Sequence, residues 1–175
     1  ADYVSQVVTR MAEDGMGSAL KHFPGYGNNV DTHTGIAVDQ RPLEQFRQSD
    51  FLPFQAGIDA GAGGVLVSHN IMTAVDGTLP ASLSPAVHDL LRDELGFDGV
   101  VMTDDLAMEA VAAYAADGAV AVMALEAGND LVITTDYRTQ IPKVLEAVEN
   151  GTLSMDTIDT ACRRLLTWKQ NLGLL

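Results

Sequence analysis

The sequence predicts an α/β protein built as half of an eight-stranded (β/α)8 barrel, and three observations carry that expectation. Short continuous apolar runs alternate with stretches of helical period, and such runs suit parallel strands covered on both faces. Each run ends in polar or ionisable residues, namely Lys21-His22, Ser68-His69, Thr103-Asp104 and Thr134-Thr135-Asp136, and a barrel gathers its active site from the carboxyl ends of several strands. The chain has 175 residues, whereas a closed barrel takes about 250. An open doubly wound sheet competes on length, but the polar strand ends favour the barrel. Four strands alone would leave two open edges, so the other half is expected from an N-terminal segment or a partner chain, with residues 1–175 forming the C-terminal half of one barrel domain.

The elements follow in order. An opening helix spans Tyr3 to Asp14, and the first strand runs from Ser18 to Phe23. A helical pattern from Leu43 to Ala60 is expected to break near Pro53. The second strand is Gly64 to His69. Ser84 reads as an N-cap and Pro85 as the first residue of a helix to Leu95. The third strand is Gly99 to Asp104, followed by a helical pattern from Met108 to Ala127, interrupted at Gly118. The fourth strand is Asp130 to Thr134, and helices from Tyr137 to Glu149 and Ser154 to Leu172 close the pattern.

Composition narrows the partners. With 24 acidic against 10 basic side chains the net charge is −14, which argues against nucleic acid. Apolar residues are 47% and charged residues 19%, the balance of a chain with a buried core. No run reaches the roughly 18 apolar residues of a membrane span, and the sequence does not assign a compartment. The single cysteine, Cys162, excludes an internal disulfide, and its neighbours Ile158, Leu165 and Leu166 suggest a packed thiol. Leu165, Leu166, Trp168 and Leu172 read as core at helical spacing, and His88 as a surface residue. Gly61-Ala62-Gly63-Gly64 precedes a strand and so is no phosphate loop.

Two segments carry chemistry. Lys21-His22-Phe23-Pro24-Gly25-Tyr26-Gly27-Asn28-Asn29-Val30-Asp31-Thr32-His33 leaves a strand for a long loop rich in turn residues. Asp31 and His33 stand two apart, so in an extended stretch a carboxylate can orient an imidazole and leave its other nitrogen free to move a proton. The same pair could simply tie the loop down. The second segment, Gly99 to Met108, ends its strand in two carboxylates. Adjacent strand residues face opposite ways, so Asp104, in series with Val100 and Met102, is expected inside and Asp105 outside, where it could cap the next helix. A strand-end carboxylate opposite a proton donor is what glycosidic bond cleavage needs. His22, Asp31, His33 and His69 are alternative metal ligands, without a spacing that identifies a metal; no metal or cofactor is expected.

These residues resemble the glycoside hydrolase family 3 β-N-acetylglucosaminidases. Lys21 to Gly27 is similar to the family's Lys-His-Phe-Pro-Gly-His-Gly signature, with Tyr26 replacing a histidine, Asp31-Thr32-His33 to its Asp-Ser-His, and Thr103-Asp104-Asp105-Leu106-Ala107-Met108 to its nucleophile strand. Trp168 to Leu174 resembles the end of its barrel domain, so the likeness covers the second half of a TIM-type barrel. The resemblance implies that Asp104 is the nucleophile, that His33 oriented by Asp31 is the general acid/base, and that Lys21 and His22 bind sugar hydroxyls; His69 is placed with them as substrate-binding. It implies removal of terminal β-linked N-acetylglucosamine from chitooligosaccharides or peptidoglycan fragments with retention. The β-glucosidase branch follows its nucleophile with Trp; here Asp105 follows. The family's sugar-binding Asp and Arg belong to the first half of the barrel. The alternatives are a β-glucosidase-like or phosphorolytic member, a metal-dependent hydrolase, and a non-catalytic carbohydrate-binding half barrel.

Overall fold

The structure, a computed structural model, describes residues 1–28, 36–112, 114–115 and 119–175. Helix α1 (Asp2–Glu13) leads into strand β1 (Ala19–Phe23); β2 (Val38–Asp39), α2 (Leu43–Gln48), α3 (Phe51–Asp59), β3 (Gly64–Val67) and β4 (Ile71–Met72) follow. A 3-10 turn (Ala81–Leu83) precedes α4 (Pro85–Asp89), which continues as a π turn through Leu90–Glu94. Then come β5 (Val100–Thr103), α5 (Glu109–Ala112), α6 (Val120–Ala127), α7 (Tyr137–Glu149) and α8 (Met155–Asn171). The main sheet has the order β1-β3-β5, all parallel, and helices separate its strands. The predicted parallel β/α partial barrel is borne out. None of the described helices is long and apolar enough to cross a membrane.

Register decides what the strands bury. Gly64 pairs with Val100 and Leu66 with Met102 on one face; Val65 pairs with Val101 and Val67 with Thr103 on the other. Val65, Val67 and Val101 enter the core with Phe23, Phe46, Phe51 and Phe54 from β1, α2 and α3. The Phe23 ring stacks on Phe51 at 5.6 Å and meets Phe54 edge-on at 5.2 Å.

Several elements differ from expectation. Asp130 to Thr134 forms a single parallel bridge, Met102 to Leu131, rather than a full strand. The ladder stops because the Ile133 N–H donates to the Thr103 hydroxyl at 3.0 Å instead of to a main-chain carbonyl. The helix break falls at Ser49 and Asp50, not at Pro53. Pro53 is the third residue of α3, where an N–H would have no intrahelical acceptor. The Ser84 cap is as expected, its hydroxyl accepting from Val87 N at 3.4 Å. Gly118 lies outside the described residues. The two-residue strands β2 and β4 were too short to leave a pattern.

His88 is buried, not on the surface; its Nδ1 lies 2.9 Å from the Ser84 carbonyl, because a short helix wedged under α6 turns that face inward. Cys162 and Leu166 are exposed, since α8 turns its Ala161 face to the protein. That helix lies under the amino ends of the strands. Arg164 Nη1 reaches Asp130 Oδ1 at 3.0 Å, Trp168 packs on Gly63 and Gly64, and both Trp168 and Leu172 pack on Gly17. Residues 164, 168 and 172 recur at one helical face, so one stripe meets the starts of the fourth, β3 and β1 segments in turn. Asp130, almost wholly buried, also accepts from Arg92 at 2.6 Å and from Val101 N at 2.9 Å.

Candidate active site

The carboxyl end of β1 is irregular. Leu20 pairs with Val65 and Phe23 with Val67, so Lys21 and His22 together oppose the single residue Leu66. The Lys21–His22 and Phe23–Pro24 peptide bonds are cis. His22 turns toward β5, where its Nε2 lies 3.8 Å from Asp104 Oδ2, with both side chains part-exposed. The Tyr26 ring meets His22 edge-on at 5.4 Å. Lys21 is exposed on the edge strand β1, and its side chain makes no hydrogen bond or ion pair among the described residues.

The two carboxylates after β5 part as their alternation requires. Asp104 N–H donates to the Val67 carbonyl at 3.1 Å, fixing its backbone to β3, and Asp104 Oδ1 accepts from Asp105 N–H at 2.9 Å. Its Oδ2 is left facing His22. Asp105 turns away: its Oδ1 accepts from Ala107 N–H at 2.9 Å and from Thr135 N–H at 3.1 Å, tying the turn after β5 to the segment after Leu131. Burial opposes the Asp105 charge, but these bonds outweigh it and hold the carboxyl below its ordinary value.

His69 lies beneath this turn, fully buried. Its Nε2 is 3.1 Å from the Asp105 carbonyl oxygen and its Nδ1 2.7 Å from the Ser82 hydroxyl. A carbonyl only accepts, so Nε2 carries the proton and the Ser82 hydroxyl donates to Nδ1. Burial pushes the His69 pKa down, against the raising effect of the Asp105 carbonyl. Ser68 hydrogen-bonds to the Phe23 carbonyl at 3.0 Å and to Asn70, locking the ends of β1 and β3 together.

Asp31 and His33 lie outside the described residues, so the structure brings together His22 and Asp104, with His69 behind them and Lys21 at the rim. Among the described residues no three His, Cys, Asp or Glu side chains gather as a metal site. A cluster that sequence reasoning missed stands beyond residue 36: Asp39, Arg41 and Asp50. Three charges scattered over twelve positions leave no periodic signal. Ser82, the partner of His69, was equally silent.

Residues 1–168 match the glycosyl hydrolase family 3 N-terminal domain. A β-hexosaminidase of Stenotrophomonas maltophilia strain K279a is 40% identical over 158 residues, covering 88% of this chain and 46% of that protein. One from Methylococcus capsulatus is 35% identical over 147 residues, covering 83% and 44%. The chain thus spans about half the length of the curated relatives it matches. A family 3 β-N-acetylglucosaminidase structure from Paenibacillus sp. str. FPU-7 superposes with a TM-score of 0.91 at 34% identity, over 97% of this chain and 34% of that one. The β-N-acetylglucosaminidase from Thermotoga maritima gives 0.83 at 27% identity, over 97% and 37%.

Proposed function

Because the chain belongs to glycosyl hydrolase family 3, we propose that it supplies the catalytic C-terminal half of a barrel that removes terminal β-linked N-acetylglucosamine from chitooligosaccharides or peptidoglycan fragments. The observation that carries this reading is Asp104 Oδ2, held at the mouth 3.8 Å from His22 Nε2 while Asp105 is diverted into the loop anchor. One carboxylate oxygen is thus available for an anomeric carbon, and the other is steadied by its neighbour's N–H.

In the first step Asp104 Oδ2 attacks C1 and His33, oriented by Asp31, protonates the departing oxygen, leaving a covalent glycosyl-enzyme. In the second, neutral His33 takes a proton from water as the water attacks C1 and Asp104 departs. Two displacements retain the β configuration. His22 and Lys21 hold sugar hydroxyls, and His69, with both ring nitrogens occupied, acts on the nucleophile turn rather than on the sugar. Phosphate in place of water would make the same scaffold phosphorolytic.

The other half of the barrel comes from the same gene product or from a partner chain. Its absence from this chain fits the apolar side chains left exposed on the flanking helices, Tyr3 and Val7 on α1 and Tyr137, Ile141 and Leu145 on α7. The exposed Ala19 and the half-buried Leu66, on the strand face away from the helices, favour a second reading, a non-catalytic carbohydrate-binding half barrel. Product-anomer analysis by NMR on the complete gene product tests the first: initial release of the β-anomer is expected. Initial α-anomer would refute retention, and no turnover of p-nitrophenyl N-acetyl-β-glucosaminide would favour the binding reading.

A further inference from the structure

Segments distant in sequence meet beneath the turn that follows β5, through side chains that are buried. Ser82, in the middle of the 3-10 turn, has every polar group engaged. Its N–H donates to the Ser68 carbonyl at 3.0 Å, its carbonyl accepts from Asn129 Nδ2 at 2.8 Å, and its hydroxyl donates to His69 Nδ1 at 2.7 Å. The Asn129 amide also donates to the Ala124 carbonyl of α6 at 2.7 Å. Ala81 N–H donates to the Asn70 carbonyl at 2.8 Å, so the 3-10 turn is bound to the chain on both sides of His69. Ser82 and His69 are fully buried and Asn129 almost so.

The line of hydrogen bonds runs on to Asp104. His69 Nε2 donates to the Asp105 carbonyl at 3.1 Å, and the N–H of the same Asp105 donates to Asp104 Oδ1 at 2.9 Å. A shift of Asp105 therefore disturbs the bond that steadies Asp104. An imidazole held at both nitrogens cannot turn about its Cβ–Cγ bond without breaking both hydrogen bonds. Without the Ser82 hydroxyl, Nδ1 becomes an acceptor with no donor in a fully buried site. The ring's relief is to turn, and turning takes Nε2 off the Asp105 carbonyl.

We infer that Ser82 is a positioning residue for the nucleophile: its hydroxyl, fixed in place by Ser68 and Asn129, locks the His69 ring that holds the Asp104–Asp105 turn. The inference rests on the proposed role of Asp104. Ser82 acts only through His69, so its effect belongs to the chemical step and not to the binding of the sugar. The outer partner of a functional group typically carries about 10- to 100-fold of its activity, and a residue one hydrogen bond further out sits at the low end of that range.

The test is a double-mutant cycle on the complete gene product, with kcat and KM for p-nitrophenyl N-acetyl-β-glucosaminide measured in Ser82→Ala, His69→Ala and the two together. Ser82→Ala is expected to lower kcat about 10-fold with KM unchanged, and Ser82→Thr, which keeps a hydroxyl, to recover part of the loss. The double variant is expected to fall no further than His69→Ala alone, because both substitutions break one line of bonds. Losses that multiply in the double variant, or a rise in KM in place of the fall in kcat, overturn the positioning role. Ser82→Cys, similar in shape and a weaker donor, serves if Ser82→Ala does not fold. Histidine 15N NMR, assigned by difference against His69→Gln, is expected to place the His69 proton on Nε2; a proton on Nδ1 overturns the proposal whatever the kinetics. Asp104→Gly without rescue by azide removes the nucleophile reading itself, an outcome separate from either of these.

Discussion

His69 Nε2 lies 3.1 Å from the backbone carbonyl oxygen of Asp105, so a buried imidazole on one strand end holds the carbonyl of the residue that follows the proposed nucleophile. Removing that donor frees the turn without touching the sugar. His69→Ala is expected to lower kcat about 10- to 100-fold with KM nearly unchanged, and His69→Gln, whose amide can still donate, to recover much of it. An equal rise in KM would place His69 on the substrate instead.

Asp104 and Asp105 are neighbours with separate tasks. Asp104→Gly is expected to cut turnover by at least about 10⁴-fold, as loss of a nucleophile does, and added azide to restore it with formation of the α-glycosyl azide. Asp105→Ala leaves two backbone N–H groups without their acceptor and should cost about 1–2 kcal/mol of stability while retaining azide-independent turnover. The opposite pattern would exchange the two roles.

Two buried imidazoles make stability depend on pH. Burial holds both His69 and His88 below their ordinary value of 6.5. As the pH falls through that value the unfolded chain takes up protons that the folded chain refuses. Stability is therefore fully present above it and declines below it, by up to about 1.4 kcal/mol per pH unit for each group, until the folded values are reached. Asp76, Glu94 and Asp105 are held below ordinary carboxylate values and so lose their charge under more acidic conditions. Urea midpoints between about pH 7.5 and about pH 5 should show the decline, with a shallower slope in His88→Gln; an unchanged slope would clear His88 of it.

The floor of the half barrel predicts a stability effect without a catalytic one. Trp168→Ala empties the space over Gly63 and Gly64 and should cost about 2–4 kcal/mol. Urea unfolding reads that loss, while kcat per folded molecule, referred to titrated active sites, is expected to stay within about twofold.

Much of the site was legible because strands announce themselves twice, by a continuous apolar run and by the residue at its end. The split between Asp104 and Asp105 follows from alternation alone, and Ser84-Pro85 marks its helix start by local chemistry. What stayed hidden depends on distant partners. The fourth strand reads as apolar as the others, but the Thr103 hydroxyl takes the N–H it needed. His88 stands beside Asp89 and reads as polar surface, yet it is buried where α6 packs against its helix. Arg41, Asp39 and Asp50 look like ordinary surface charges until the chain returns past them.

The stripe of α8 under the strand starts also has a temporal side. Arg164, Trp168 and Leu172 reach Asp130, Gly63 and Gly17 from the far end of the sequence. During synthesis β1 leaves the ribosome on the order of 10 s before them. Every polar residue at the catalytic end is therefore translated, and its strand laid down, while the opposite end is still open to water. A message cut short within α8 would encode all the proposed chemistry and omit the brace that keeps those strand ends at their working distance.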